Sequence, residues 1–136
     1  MSALTDAELY LRGVETLLAS WEAYARGAHG AVVIRFPGVT TAFLPNEPER
    51  LVARLEGESL ATAMAFDLDG DFGIYNVSTL ERARRRGLGT ALTAIHAHDA
   101  VARGCRTASL QSTEMAERVY DAVGFRDLGR ILEYVP

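Results

Sequence analysis

The chain has 136 residues, of which 49% are hydrophobic, and its formal net charge is −4. This length supports one globular domain with its own core and is too short for two ordinary ones, so we expect a single domain over residues 1–136. The acidic balance disfavours nonspecific binding to nucleic acid, and no apolar stretch approaches membrane-spanning length. We therefore expect neither nucleic acid nor membrane as a partner.

The first residues are acidic where a secretory signal would carry positive charge, and the single cysteine, Cys105, cannot form an intramolecular disulfide. We therefore expect a soluble protein of the reducing cytoplasm. We interpret Cys105 as a small residue that enters a buried strand rather than as a catalytic nucleophile.

The N-terminal third predicts a helix and a hairpin. Residues 4–26 place apolar side chains at helical spacing behind a capping threonine and an acidic first turn. The apolar positions are Leu11, Val14, Leu18 and Trp21. The runs 31–36 and 39–44, joined by Pro37-Gly38, predict two strands, and the polar segment 45–49 predicts a loop before the second half.

The rest of the chain predicts a mixed α/β domain. Three strands form an antiparallel meander, whose last two strands are joined by the turn Asp69-Gly70-Asp71. The helix that follows the meander has Leu88, Ala91, Leu92, Ile95 and Ala102 along one side. In chain order the elements are strands 51–55, 58–68 and 72–79, helix 88–103, strand 107–111, helix 114–123 and a final strand region 125–135. Residues 51–55 also fit a short helix.

The run Arg84-Arg85-Arg86-Gly87-Leu88-Gly89-Thr90 joins a predicted strand to a predicted helix. Glycines at the start of a helix let backbone N–H groups face outward without interference from a Cβ atom. These donors add to the positive end of the helix dipole. This combination predicts a binding site for pyrophosphate.

Three other interpretations compete with a pyrophosphate site. A nucleic-acid patch that includes Arg82 is disfavoured, because the run stands alone in an acidic protein and lacks interleaved aromatic residues. A dinucleotide-binding fold is disfavoured because its third glycine is missing, since Leu92 occupies that position. The third interpretation is a glycine-rich turn with solvated arginines. Gly87 and Gly89 alone do not exclude it.

A second element downstream distinguishes these interpretations. It is the segment Ala116-Glu117-Arg118-Val119-Tyr120-Asp121-Ala122-Val123-Gly124-Phe125. Arg84-x-x-Gly87-x-Gly89 resembles the phosphate-binding motif of the GNAT superfamily of acyl-CoA-dependent N-acetyltransferases. Ala116-x-x-x-Tyr120-x-x-x-Gly124-Phe125 resembles the C-terminal motif of that superfamily. The resemblance is close over residues 73–125 and extends over residues 51–135.

The resemblance implies a GNAT-like α/β fold, in which an antiparallel meander is followed by the order β-α-β-α-β. Residues 51–135 would form the acyl-CoA-binding core and residues 1–45 a divergent N-terminal part. Acetyl-CoA would be the cosubstrate of an N-acetyltransferase, an amine the acceptor, and no metal would take part. The alternative is a CoA-binding sensor or structural module without catalysis.

The resemblance also implies roles for individual residues. The backbones of Val77 and Thr79 would pair with the pantetheine arm, and Tyr120 would act as the general acid toward the departing thiolate. Arg84 stands at the family's arginine or glutamine position. The pyrophosphate would bind the backbone amides of Arg85, Arg86, Gly87, Leu88, Gly89 and Thr90.

The chain departs from the family pattern in two single positions and in its N-terminal half. Glu81 stands where many members have proline, and Thr113 where many have asparagine. The N-terminal half has little room for substrate-covering helices, so the N-terminal helix or a second subunit must cover the sheet, and we expect a homodimer. The general base is not identifiable, and Glu114 and Asp71 are the carboxylates nearest the expected cleft.

Two further patterns are interpreted without a function. His96 and His98 stand two residues apart on a helix, which is not the spacing of a metal-binding pair, and we expect them at the surface or its boundary. The acidic run 67–71 resembles the start of a calcium loop, but its glycine comes too early, so a hairpin turn fits better.

Overall fold

A computed structural model of the chain describes residues 3–28 and 49–132. The predicted hairpin strands 31–36 and 39–44 lie outside the described residues, as does the predicted loop up to residue 48. Of the predicted final strand region, the described residues include positions 125–132.

Within these ranges the chain forms three α-helices and a four-stranded sheet. The meander, the helix after it, the next strand and the last helix lie where the sequence predicts them, and residues 51–55 are a strand. The mixed α/β fold class is confirmed. The elements are α1 (Asp6–Ala28), β1 (Glu49–Leu55), β2 (Glu58–Leu68), β3 (Asp71–Thr79), α2 (Leu88–Ala102), β4 (Thr107–Leu110) and α3 (Glu117–Val123), with 3-10 turns at Glu81–Ala83 and Glu114–Ala116.

The predicted final strand is wrong for residues 125–132, which form no strand. Local hydrogen bonds replace a ladder in this segment. The Asp127 carboxylate accepts one from the Gly129 N–H at 3.0 Å and one from the Arg130 guanidinium at 2.8 Å. The Tyr10 hydroxyl of α1 donates to the Arg130 carbonyl at 2.7 Å. The segment therefore follows an irregular path fixed against α1.

The strands lie in the order β1-β2-β3-β4, with antiparallel pairing among the first three and parallel pairing of β4 with β3. Both hairpins turn on two residues with positive φ, Glu56-Gly57 and Asp69-Gly70, as two-residue hairpin loops require. The Asp67 carboxylate accepts a hydrogen bond from the Gly70 N–H at 3.1 Å. The acidic run 67–71 is therefore a hairpin turn, as predicted.

Helix α2 covers one face of the sheet and forms an apolar core with it. The sheet contributes Ala61, Ala63, Ala65, Phe72 and Ile74, and the helix buries Leu92, Thr93, His96 and Ala100. This helix face is rotated from the predicted one, because Ile95 is 51% exposed. The small alanine side chains of the sheet leave room for larger side chains of the helix. Thr93 is satisfied there by donating to the Gly89 carbonyl at 2.8 Å.

His96 lies in this core, and the prediction of a surface or boundary position is wrong for it. The residue is 1% exposed, and its ring centroid lies 6.0 Å from that of Phe72. Burial lowers the pKa of the imidazole, because the charged form loses its hydration. Its Nε2 atom has no hydrogen-bond partner among the described residues. His98, two residues along the same helix, is exposed.

We expect the free energy of unfolding to decrease as the pH falls below the unfolded-state pKa of histidine, about 6.5. The folded-state pKa of His96 is depressed, so the unfolded chain binds more protons in this window. The stabilisation is complete above pH 6.5 and is lost toward acid. Urea unfolding from about pH 7.5 to about pH 5 measures this slope. His96→Gln should flatten it, whereas His98→Gln should keep the parent slope; an unchanged slope in His96→Gln contradicts the assignment.

Helix α1 covers the opposite face of the sheet, but the predicted apolar side of the helix faces away from it. Leu11, Leu18 and Trp21 are 61%, 53% and 56% exposed. The buried positions are instead Gly13, Thr16 and Ser20. A Cβ atom on Gly13 would lie 3.1 Å from the Ser109 Cβ, so glycine permits a close approach of helix and strand.

The sheet surface under α1 is polar, which explains the orientation of the helix. Asp71 is 1% exposed. Its carboxylate accepts hydrogen bonds from the hydroxyls of Thr16 at 2.5 Å, Thr107 at 2.7 Å and Ser109 at 2.8 Å. A buried carboxylate without such donors would be strongly destabilising, so small hydroxyl residues face the sheet and larger apolar ones do not.

Candidate active site

The sheet is split between its two parallel strands. Parallel pairing runs from Asp71 opposite Thr107 to Ile74 opposite Leu110 and stops there, while β3 continues to Thr79. On its other side, β3 pairs Tyr75 with Met64 and Ser78 with Thr62, so Asn76 and Val77 together oppose the single residue Ala63. This is a β-bulge, which bends a strand and increases its twist. A cleft therefore opens between β3 and β4.

The bulge depends on Asn76, which sequence reasoning did not identify. Asn76 has a φ of 52°, in the left-handed region that asparagine tolerates better than most residues. Its side-chain amide lies 3.3 Å from the sulfur of Met64 on β2. An asparagine inside an otherwise β-branched and aromatic strand was the available signal for an irregular strand.

The predicted pantetheine-binding residues Val77 and Thr79 lie on the part of β3 beyond the split. There, the edge of residues 76–79 that faces away from β2 has no strand partner in the described part of the chain. The Val77 side chain packs against the core under α2. The Thr79 carbonyl accepts a hydrogen bond from Arg84 Nε at 3.3 Å. The cleft edge of β3 thus offers backbone groups to an extended ligand.

The predicted phosphate-binding run crosses from the end of β3 to the start of α2. Arg85 and Gly87 both have left-handed backbone, with φ of 64° and 78°, and Gly87 is the N-cap of the helix. No side chain caps the helix. The N–H groups of residues 85–90 donate to no acceptor in residues 3–28 or 49–132. Such a concave set of free amides at a helix N-terminus is suited to an anion.

The two glycines of the run differ in what surrounds them. A Cβ atom on Gly87 would meet no atom within 4 Å, so this position borders open space. A Cβ atom on Gly89 would lie 3.6 Å from Val77 Cγ1, at ordinary van der Waals distance. The protein therefore accommodates a methyl group at position 89, and a side chain at position 87 would extend into open space at the start of α2.

The four arginines of residues 82–86, the arginine run, divide into two pairs. Arg82 forms an ion pair with Glu58 of β2, which raises the pKa of the arginine and lowers that of the glutamate. Arg84 is bonded to the Thr79 carbonyl. Arg85 and Arg86 are exposed and form neither an ion pair nor a hydrogen bond with another described residue. Two arginines thus fix the loop to the sheet, and two face solvent.

Tyr120 lies on α3, which packs beside α2. The residue is 9% exposed, and its ring meets that of Phe125 edge to face with centroids 6.4 Å apart. Gly124, with a φ of 110°, ends the helix and returns the chain so that Phe125 N–H donates to the Tyr120 carbonyl at 3.0 Å. The Tyr120 hydroxyl forms no hydrogen bond with a described residue, and its oxygen keeps some exposure to solvent. Burial raises the pKa of its phenol, so it is protonated at neutral pH.

The other candidates lie apart from this arrangement. Asp71 is engaged by three hydroxyls under α1, whereas Glu114 is exposed at the start of the 3-10 turn before α3. Cys105 is half-buried, its sulfur lies 3.5 Å from the Asp67 carboxylate, and burial raises its thiol pKa.

No group of three His, Cys, Asp or Glu residues in the described chain could hold a metal ion. Among the described helices, none is long and apolar enough to cross a membrane.

A split parallel strand pair beside a helix N-terminus with free amides is an α/β arrangement suited to a phosphate-bearing ligand in extended form. The sequence model of the acetyltransferase (GNAT) family matches residues 13–125. The chain therefore belongs to the GNAT acetyltransferase family. At the sequence level, no curated protein matches the chain.

Solved structures share the fold. An aminoglycoside N-acetyltransferase in complex with CoA is 17% identical, with a TM-score of 0.59 over 92% of this chain and 93% of that one. A putative acetyl transferase from Pyrococcus furiosus is 25% identical, with a TM-score of 0.58 over 68% of each chain. A predicted acetyltransferase from Clostridium acetobutylicum, solved with acetyl-CoA, is 22% identical, with a TM-score of 0.55 over 63% of this chain and 62% of that one.

Proposed function

We propose that this protein transfers the acetyl group of acetyl-CoA to an amine by direct attack of the amine on the thioester. The observation that carries the proposal is the set of free amides at residues 85–90 beside the open edge of β3. Pyrophosphate on these amides would direct the pantetheine arm along Val77 and Thr79 into the split sheet. Family membership and relatives solved with CoA or acetyl-CoA support this cosubstrate.

In the proposed reaction, the amine nitrogen forms a bond to the carbonyl carbon and the C–S bond breaks. A backbone amide of residues 77–79 would polarise the carbonyl as negative charge develops on its oxygen. Tyr120 would donate its phenolic proton to the departing sulfur, and its raised pKa keeps that proton in place at neutral pH. The amine also loses a proton, which ordered water would take to solvent, and solvent would reprotonate Tyr120. Asp71 is an unsuitable acceptor because three hydroxyls already occupy its carboxylate.

Incubation of the protein with acetyl-CoA and a panel of amines tests the function. The panel includes aminoglycosides, because one structural relative carries that name, together with polyamines, amino sugars and peptide N-termini. We expect thiol release that depends on one class of amine and matches the acetylated product mole for mole. Tight acetyl-CoA binding without release by any amine would instead support the non-catalytic CoA-binding module.

We also propose that the protein is a homodimer that pairs through the exposed stripe of α1. Leu11 and Leu18 stand seven residues apart and Trp21 three further on, which is the spacing of a helix-to-helix contact.

We propose a cytoplasmic location for the protein. Cys105 is a free thiol, in keeping with that location.

The stripe leads to a direct test of assembly. We expect light scattering to give a dimer for the parent and a monomer for Leu18→Glu, because a charge would enter the apolar contact. Val101→Glu, at a 74% exposed position on α2, is the matched control and should stay dimeric. Trp21 is the only tryptophan, so its emission should shift to longer wavelength as the parent dissociates on dilution. A parent that is monomeric at all concentrations would contradict the proposal.

A further inference from the structure

We infer that Arg85 and Arg86 bind the 3′-phosphate of CoA and make the protein select CoA over dephospho-CoA, which lacks that group. The inference rests on the proposed function and adds a specificity-determining pair to it. It starts from the division of the arginine run, in which Arg82 and Arg84 are engaged by the sheet while Arg85 and Arg86 are not.

Arg85 and Arg86 have no acidic partner among residues 3–28 and 49–132, despite an excess of acid in the chain. Asp and Glu number 18 against 14 Lys and Arg, yet no described carboxylate lies within ion-pair distance of either side chain. The Glu58 carboxylate of β2 is engaged by Arg82. Like charges at adjacent positions repel, so a bound anion would stabilise this surface.

CoA carries two kinds of anion, and the site has two kinds of donor. The pyrophosphate is a diester, and the free amides of residues 85–90 with the positive helix end, equivalent to about half an elementary charge, suit its oxygens. The 3′-phosphate is a monoester with a charge of about −1.5 to −2 at neutral pH and three terminal oxygens. Guanidinium groups match that group through paired, charge-assisted hydrogen bonds.

The test compares the dissociation constants of CoA and dephospho-CoA by calorimetry for the parent and for the double variant Arg85→Gln, Arg86→Gln. Glutamine keeps a polar, unbranched side chain but removes the positive charge. The matched control is Arg106→Gln, which removes one exposed arginine beyond the far end of α2, about 22 Å away along the helix.

We expect the parent to bind CoA about ten- to a hundredfold more tightly than dephospho-CoA, and the double variant to bind the two ligands alike. Affinity for dephospho-CoA should be the same in the parent and the control, and in the double variant it should fall much less than the affinity for CoA does. The parent's preference should also weaken as salt is raised, because exposed charges are screened.

Two results would overturn the inference. One is a parent that binds CoA and dephospho-CoA equally. The other is a double variant that loses affinity for both by the same factor, since the guanidinium groups would then act on the pyrophosphate or on the shape of the loop. A parent that binds neither ligand would instead refute the proposed function itself, so the two failures are distinguishable.

Discussion

Tyr120→Phe should lower turnover with the identified amine by roughly ten- to a thousandfold, while the dissociation constant of acetyl-CoA and the unfolding midpoint change little. Phenylalanine keeps the ring, and with it the edge-to-face contact with Phe125, but removes the proton that the departing sulfur would take. The lost hydroxyl breaks no hydrogen bond to another described residue, so the fold should tolerate the change. Steady-state kinetics with calorimetry separates these effects.

The control is Tyr10→Phe, which removes a hydroxyl that donates to the Arg130 carbonyl, apart from the cleft. This variant should lose some stability and keep the parent turnover number. If Tyr120→Phe turns over as fast as the parent, the tyrosine is a packing residue and has no part in proton transfer.

Gly87→Val should weaken acetyl-CoA binding by roughly ten- to a hundredfold, corresponding to one or two lost charge-assisted hydrogen bonds. Gly87 lies within the run whose amides would hold the pyrophosphate, and a side chain there would extend into open space that the ligand is expected to occupy. It also places a branched residue in left-handed backbone, which should lower the free energy of unfolding by about 2 kcal/mol. Calorimetry and urea unfolding measure the two effects.

Gly104→Val distinguishes the two effects, because Gly104 follows α2 at its other end with the same φ of 78°, and a Cβ atom there would also meet no atom within 4 Å. This control should show the stability loss without the loss of affinity. Gly89→Ala should bind acetyl-CoA as the parent does. Equal affinities for Gly87→Val and Gly104→Val would move the phosphate away from the N-terminus of α2.

The backbone geometry of the candidate site could be predicted from the sequence where it depends on local chemistry, whereas the roles of its residues stay predictions. Gly87 at a helix start determines which amides stay free, and Gly124 determines where the helix of Tyr120 ends. The meander followed from hairpin turns such as Asp69-Gly70, whose conformational preferences are local. The positions of these elements in the sequence could therefore be predicted without knowledge of tertiary packing. The match to the family model over residues 13–125 agrees with that prediction.

Side-chain burial and contacts that depend on tertiary packing could not be predicted from the sequence. The hydrophobic spacing of α1 indicated the helix but gave the wrong inner face, because Asp71 makes the sheet below it polar. His96 was misplaced for a similar reason, since its burial depends on how α2 packs on the sheet, where its ring lies 6.0 Å from that of Phe72. The hydrogen bonds of Arg82 and Arg84 could not be predicted, because Glu58 and the Thr79 carbonyl come close to these arginines only in the folded chain.

A crystal structure of the protein with acetyl-CoA is the decisive measurement for the proposed acetyl-CoA site. We expect pyrophosphate oxygens at hydrogen-bond distance, about 2.7–3.2 Å, from the N–H groups of residues 85–90. We also expect the acetyl thioester in the split between β3 and β4, with its sulfur within reach of the Tyr120 hydroxyl. Acetyl-CoA bound with its pyrophosphate elsewhere on the protein, or with its thioester outside the split, would refute the proposed site.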